Sequence, residues 1–141
     1  MKKYMYIMAG GAAGAVLRFY IGTQNFQLFR DNFPAGTFIA NISGAFMLAF
    51  FLRWAFDSKY FSENLHAGIA PGFLGAFTTF STLCKESSLL ILEGNYLMMT
   101  FYLVASVTIG LTSALLGFNF SGWMRRTFYG KVEAEKRWRY F

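Results

Sequence analysis

The chain has 141 residues, of which 55% are hydrophobic and only 14% are charged, with a formal net charge of +6. A soluble domain would carry about 25% charged residues, so the composition favours several membrane spans of about 20 residues each. A single cysteine and a single histidine exclude a disulfide framework and a Cys/His metal site. The apolar stretch after Lys2 and Lys3 lacks a clear cleavage motif, so we do not expect a signal peptide.

Four apolar segments predict an all-α membrane protein with four transmembrane helices. We expect these spans at about residues 4–23, 34–56, 66–92 and 96–123. The linkers are short, which favours antiparallel neighbours, and they leave no room for a soluble domain. The sequence therefore predicts one four-helix unit over residues 1–124, followed by a basic tail over residues 125–141.

The first two spans carry small residues at four-residue spacing, which lets helix backbones approach closely. These residues are Gly10 and Gly14 in the first span, and Gly36, Ala40 and Gly44 in the second.

Each of these spans also holds a strongly polar side chain. Arg18 is costly inside a membrane, so it either faces a water-filled cavity or snorkels from the span end. Asn41 lies one turn after Thr37 on the same face. Its amide is either an interhelical packing group or a ligand for an anion, because it offers two donors.

The third span contains the segment GFLGAFTTFSTL at 72–83, with two glycines and four hydroxyl residues. A membrane span normally satisfies its backbone internally, so this composition predicts a break in the helix that serves a site. Phe80 precedes Ser81 and Thr82, and the positive edge of its ring can face an anion. In the fourth span, Tyr102 and Ser106 share one face and indicate a polar track.

Several function classes find no support in the sequence. It has no Walker loop, no dinucleotide fingerprint and no catalytic constellation, so we do not expect an enzyme. A small proton-coupled four-helix exporter of the multidrug type needs a membrane carboxylate, usually in its first helix. Glu86 and Glu93, both late in the third span, are the only candidates. A structural membrane subunit without a transport role is a further alternative, but such a subunit does not require an interrupted helix.

The basic residues indicate the orientation of the chain. With four spans, ten Lys and Arg residues fall on the side of the termini and only Arg30 falls in a linker on the other side. The positive-inside rule then places both termini in the cytoplasm. Beside a membrane span, the basic tail favours contact with anionic lipid over nucleic acid.

Three segments in order resemble the signature segments of the Fluc (CrcB) fluoride channels. They are GGAAGAVLRFY at 10–20, GTFIANISGAF at 36–46 and GFLGAFTTFSTL at 72–83, and EGNY at 93–96 also fits. The resemblance implies an antiparallel, dual-topology dimer in the cell membrane with two pores, through which fluoride leaves the cytoplasm passively. It also implies a structural sodium ion at the dimer centre.

The resemblance assigns roles to residues of this chain. The sodium ion would be held by the backbone carbonyls of Gly75 and Thr78. Arg18 and Glu86 would shape the electrostatics of the vestibule and track. The fluoride pore would be lined by Asn41, Phe80, Ser81, Thr82, the position of Leu83, Tyr102 and Ser106.

Two positions depart from the family pattern. Leu83 stands where a second pore phenylalanine is expected, and Gly110 where a serine is expected. Together with the unbalanced basic residues, they leave two assemblies open: an antiparallel homodimer, or a heterodimer with a homologous subunit of opposite orientation.

Overall fold

The computed structural model describes residues 1–24, 33–56 and 62–138, apart from the side chains of Phe56 and residues 128–138. Arg30, Lys59 and Arg139, which enter the charge count, lie outside these ranges. The described elements are α1 (Lys2–Thr23), α2 (Ala35–Phe56), α3 (Glu63–Ala67), a π-helical segment (Gly68–Leu74), α4 (Gly75–Phe77), α5 (Phe80–Leu92) and α6 (Tyr96–Trp138).

Four helical stretches of the described chain are long and apolar enough to cross a membrane, which confirms the predicted number. They cover Lys2–Thr23, Ala35–Ala55, Glu63–Leu92 and Tyr96–Thr127. The last helix does not end near the expected span end at 123, because α6 runs on to Trp138. At 1.5 Å per residue its 43 residues extend about 65 Å, roughly twice the hydrocarbon thickness of a bilayer.

The third span is built from several short pieces. Pro71 lies in the π-helical segment, where it cannot donate a hydrogen bond and its ring crowds the preceding turn. The π-helical hydrogen bonding continues to Gly75, whose N–H donates to the carbonyl of Ala70, five residues earlier. Thr78 and Thr79 then have extended backbone, with φ, ψ of −81°, 154° and −150°, 124°. We call these two residues the Thr78–Thr79 link.

Close backbone contacts fix the positions of the helices. α1 packs along the π-helical segment and α4, whereas α2 packs along α6. A Cβ atom added at Gly10 or Gly14 would overlap the carbonyl oxygen of Gly68 or Phe73, respectively. The small residues therefore occur where helices approach each other closely, as their spacing indicates.

Two glycines of α1, Gly14 and Gly11, differ in the space around them. Replacing Gly14 with Ala forces the added methyl group against the backbone of Phe73, which cannot move aside as a side chain would. We expect Gly14→Ala to destabilise the protein by about 1–3 kcal/mol. The measurement is the loss of monodisperse protein on size-exclusion chromatography after heating in detergent.

Gly11→Ala is the matched control. The nearest atom to its added Cβ is Gly72 O at 3.9 Å, an ordinary contact distance. This variant should retain the thermal stability of the parent chain. Equal losses in both variants would contradict the packing described for α1.

Candidate functional site

One face of α2 contacts the third span at and beyond the Thr78–Thr79 link. Thr37, Asn41 and Gly44 follow each other on this face at helical spacing. Thr37 bonds to Glu86, Asn41 bonds to Thr79, and a Cβ on Gly44 would overlap the methyl carbon of Thr78. The face thus combines polar contacts with one position where the helices come close together.

Asn41 satisfies the backbone of Thr79 with both ends of its amide. Asn41 Nδ2 donates to Thr79 O at 2.9 Å, and Thr79 N donates to Asn41 Oδ1 at 2.8 Å. Of the two interpretations of Asn41, the interhelical bond is therefore present. One N–H of the amide remains for another partner, because the group carries two donors.

This pairing changes the hydrogen bonding of the third span. In a continuous α-helix each N–H donates to the carbonyl four residues earlier. Thr79 N would then pair with Gly75 O, but it donates to Asn41 instead. Thr82 N would pair with Thr78 O, but it donates to Thr79 Oγ1 at 3.2 Å. The carbonyls of Gly75 and Thr78 consequently lose their helical donors.

Thr79 also caps the N-terminus of α5 with its side chain. Besides accepting from Thr82 N, its Oγ1 lies 3.0 Å from Thr82 Oγ1 and 3.2 Å from Ser81 Oγ. Threonine is a favoured N-cap residue because its hydroxyl can accept from an unpaired amide of the first turn. The hydroxyl groups of Thr79, Ser81 and Thr82 thus cluster at the link and directly after it.

Glu86 is held by two helices other than its own. Thr37 Oγ1 donates to Glu86 Oε1 at 2.8 Å, and Tyr102 OH donates to Glu86 Oε2 at 2.7 Å. Tyr102 is fully buried, and the ring of Phe33 packs against it edge-on at 5.5 Å between centroids. Glu86, which is partly buried, thus connects α2, α5 and α6 through these two hydrogen bonds.

A cavity of about 670 Å³ opens beside this network, between α1, the start of α2 and α5. Its lining includes Arg18, Thr37, Thr79, Thr82 and Glu86. The structure thus places Arg18 at a cavity, as one interpretation of its sequence position proposed. It also brings three of the sequence-predicted site residues together.

Other predicted site residues remain apart from this cavity. The ring of Phe80 is 79% exposed within a single chain, and neither it nor Leu83 belongs to the cavity lining. Ser106 Oγ is buried and has no hydrogen-bond partner in the described part of the chain. Gly75, at the start of α4, is exposed, and Thr78 in the link is partly buried.

Sequence reasoning did not assign a site role to Thr37 or Thr79. Thr37 carried a usable signal, since it precedes Asn41 by one turn on the same face. Thr79 precedes Thr82 by three residues, which is the spacing between an N-cap hydroxyl and the backbone N–H that donates to it. Neither spacing reveals that the Thr37 hydroxyl meets Glu86 or that the Thr79 backbone meets Asn41, because these partners are distant in sequence.

A metal ion could use only a limited set of ligands at this site. No group of three or more His, Cys, Asp or Glu side chains in the described ranges could hold a metal. The oxygen atoms at the link are backbone carbonyls and hydroxyls, which are ligands for hard cations.

Known proteins are similar to this chain over most of its length. The model of a family described as CrcB-like protein, Camphor Resistance (CrcB), matches residues 5–118. The fluoride-specific ion channel FluC of Dehalococcoides mccartyi is 38% identical over 83% of this chain and 90% of its own length. FluC of Shewanella amazonensis is also 38% identical, over 83% and 94%. FluC of Ignicoccus hospitalis is 33% identical, over 83% and 93%.

The contacts of Glu86 lead to a stability prediction. Tyr102→Phe removes one of the two hydroxyl donors and leaves a carboxyl oxygen unpaired. A lost hydrogen bond to a charged group is worth about 1.5–3 kcal/mol, so the variant should be less thermally stable in detergent. Tyr96→Phe, at a position that is 61% exposed, is the matched control and should not change stability. Equal stability of the two variants would show that the Tyr102 hydroxyl does not support Glu86.

Proposed function

The chain belongs to the CrcB-like family, and we propose that it is a fluoride-selective channel through which fluoride leaves the cytoplasm down its electrochemical gradient. The family is one of ion channels, so the chain is not an enzyme. The observation that carries the proposal is the Thr78–Thr79 link, where a span opens its backbone and gathers hydroxyl and amide donors. The relatives named as fluoride-specific ion channels support the choice of ion.

Fluoride is small, strongly hydrated and a strong hydrogen-bond acceptor. A narrow path for it must replace the lost water with donors and with the positive edges of aromatic rings. Asn41 has one unused N–H, and Ser81 and Thr82 carry hydroxyls at the same end of α5. Larger halides gain less from such donors and need a wider passage.

We assign the pore to residues on three helices. Arg18 would attract anions into the cavity, and Glu86 would shape the field along the path while Thr37 and Tyr102 hold it in place. The buried hydroxyl of Ser106 lacks a partner within the described chain and is available to a passing anion. The pore-lining set is Asn41, Phe80, Ser81, Thr82, the position of Leu83, Tyr102 and Ser106.

We propose that a sodium ion binds the carbonyl groups of Gly75, just before the link, and of Thr78, within it. Gly75 O and Thr78 O have lost their helical donors to Asn41 and Thr79, and backbone carbonyls can replace the hydration shell of an alkali cation. When bound, such an ion supplies a fixed positive charge and joins the subunits that contribute carbonyls. Two carbonyls are few for one cation, so we propose that two antiparallel subunits share the site.

The antiparallel dimer would place two pores at its interface. Phe80 is 79% exposed in the single chain, and Gly75 is also exposed. A second subunit would cover both residues, while the remaining apolar surface would contact lipid of the cell membrane. The excess of basic residues on the side of the termini supports their cytoplasmic location.

A proton-coupled exporter is less compatible with this site. The first two spans contain no acidic residue. In the third span, both oxygens of Glu86 accept hydrogen bonds from Thr37 and Tyr102. A carboxyl group that exchanges protons and substrate in turn would have to break these bonds in every cycle.

The unbalanced basic residues favour a second candidate assembly. An antiparallel homodimer needs insertion in both orientations, whereas ten basic residues against one favour a single orientation. A homologous subunit of opposite orientation would solve this problem and could supply the ring that Leu83 lacks.

Phe80→Ile should abolish fluoride efflux while the protein stays folded, because the branched side chain has no positive ring edge to face an anion. The measurement is efflux from proteoliposomes with a fluoride-selective electrode, with sodium present. Phe101→Ile is the matched control, since this ring is 60% exposed and lies outside the proposed pore. Unchanged efflux in Phe80→Ile would refute the pore assignment.

The same assay distinguishes the two assemblies. We expect the purified chain to conduct fluoride alone as an antiparallel dimer. Efflux that requires coexpression with an oppositely oriented homologue would contradict the homodimer and establish the heterodimer. Absence of fluoride flux under both conditions would refute the channel itself.

A further inference from the structure

The peptide unit between Thr78 and Thr79 is oriented by a side chain from another helix. Thr79 N donates to Asn41 Oδ1 at 2.8 Å, and Thr79 O accepts from Asn41 Nδ2 at 2.9 Å. Two bonds to one planar amide fix the rotation of the extended Thr79 backbone. Thr79 is largely buried, with 8% of its surface exposed.

The trans geometry of the peptide makes this contact directional. No cis peptide bond occurs in the described chain, and in a trans peptide the C=O and N–H groups point in opposite directions. Because Thr79 N–H points at Asn41, the carbonyl of Thr78 must point away from α2. The same contact keeps Thr79 N–H from pairing with Gly75 O, its acceptor in a continuous helix.

We infer that Asn41 is a positioning residue for the cation site, acting through the Thr79 backbone amide to free Gly75 O and aim Thr78 O. This inference rests on the proposed sodium site and adds to the pore role of Asn41. It differs from a packing role because Asn41 would determine how tightly sodium binds and not only how stable the fold is.

The packing of Thr78 supports the same assignment. Its Oγ1 donates to Leu74 O at 2.9 Å, and its methyl carbon lies where Gly44 leaves space. The Thr78 side chain is therefore directed to its own helix and to α2. The Thr78 carbonyl is then the group of this residue that remains for a ligand.

The test compares Asn41→Leu with Asn41→Asp over a range of sodium concentrations. Leu has similar size but no hydrogen bond to Thr79, so Thr79 N–H becomes free to pair with Gly75 O. Asp keeps the acceptor for Thr79 N–H and loses only the donor to Thr79 O. Should Asn41→Leu not yield monodisperse protein, Asn41→Ala replaces it, because the space left can admit water to the freed backbone groups.

The readout is thermal stability in detergent without fluoride, with ionic strength held constant by N-methyl-D-glucamine chloride. We expect sodium to stabilise the parent chain and Asn41→Asp at similar or lower concentrations. The sodium concentration for half-maximal stabilisation should rise about tenfold or more in Asn41→Leu, as for other groups that orient metal ligands.

Ser113→Ala is the matched control. Ser113 Oγ donates to Ile42 O at 2.9 Å, so this variant also loses an interhelical bond to α2, but away from the link. It should lower stability at every sodium concentration and leave the half-maximal concentration unchanged.

The outcomes separate this inference from the function on which it rests. Sodium-dependent stabilisation of the parent chain with the same half-maximal concentration in Asn41→Leu would overturn the positioning role and leave the sodium site standing. No difference between sodium and N-methyl-D-glucamine in the parent chain would overturn the sodium site and the inference together. A shift in Asn41→Leu that Ser113→Ala lacks would support both.

Discussion

In a bilayer, every backbone N–H and C=O group needs a partner from the protein, because hydrocarbon offers none. The Thr78–Thr79 link has extended backbone; Thr78 N still donates to Leu74 O at 3.0 Å, but the amide of Thr79 must find a partner elsewhere. Asn41 provides an acceptor for Thr79 N–H and a donor for Thr79 O, and the Thr79 hydroxyl accepts a hydrogen bond from Thr82 N–H. These bonds leave the carbonyls of Gly75 and Thr78 without their helical donors. These two carbonyls are the groups to which we assign the proposed cation.

The same constraint connects the link to the carboxyl group of Glu86. Asn41 and Thr37 lie one turn apart on α2, so the helix that holds Thr79 also holds Glu86. Tyr102 adds the second bond from α6. A shift of α2 relative to α5 would break several of these bonds together. The close approach at Gly44 opposes the same movement, because there is no room for the helices to slide closer.

The sequence predicted the four spans because apolar composition and span length are local properties. It left Arg18 open between a cavity and the span end, and only the family resemblance gave Glu86 a role; both residues line one cavity. It left the contact of Asn41 open, because the partner is a backbone group and every residue has one. The sequence did not reveal that α6 continues to Trp138, because hydropathy shows where apolar residues end and not where a polar helix ends. The role of Thr79 as both cap and backbone partner depends on a turn that only three-dimensional packing defines.

The donors of a single chain are insufficient for a stripped fluoride ion. Asn41 has one free N–H after binding Thr79, and the hydroxyls of Ser81 and Thr82 both lie within hydrogen-bonding distance of Thr79 Oγ1. Ser106 keeps a free hydroxyl in α6, but the ring of Phe80 points into the surroundings of the chain. An ion that gives up several water molecules would thus meet too few donors from one subunit. In the proposed dimer, a second subunit would bring its own Phe80 against the first and complete the set, and Leu83 would limit what two identical copies can offer.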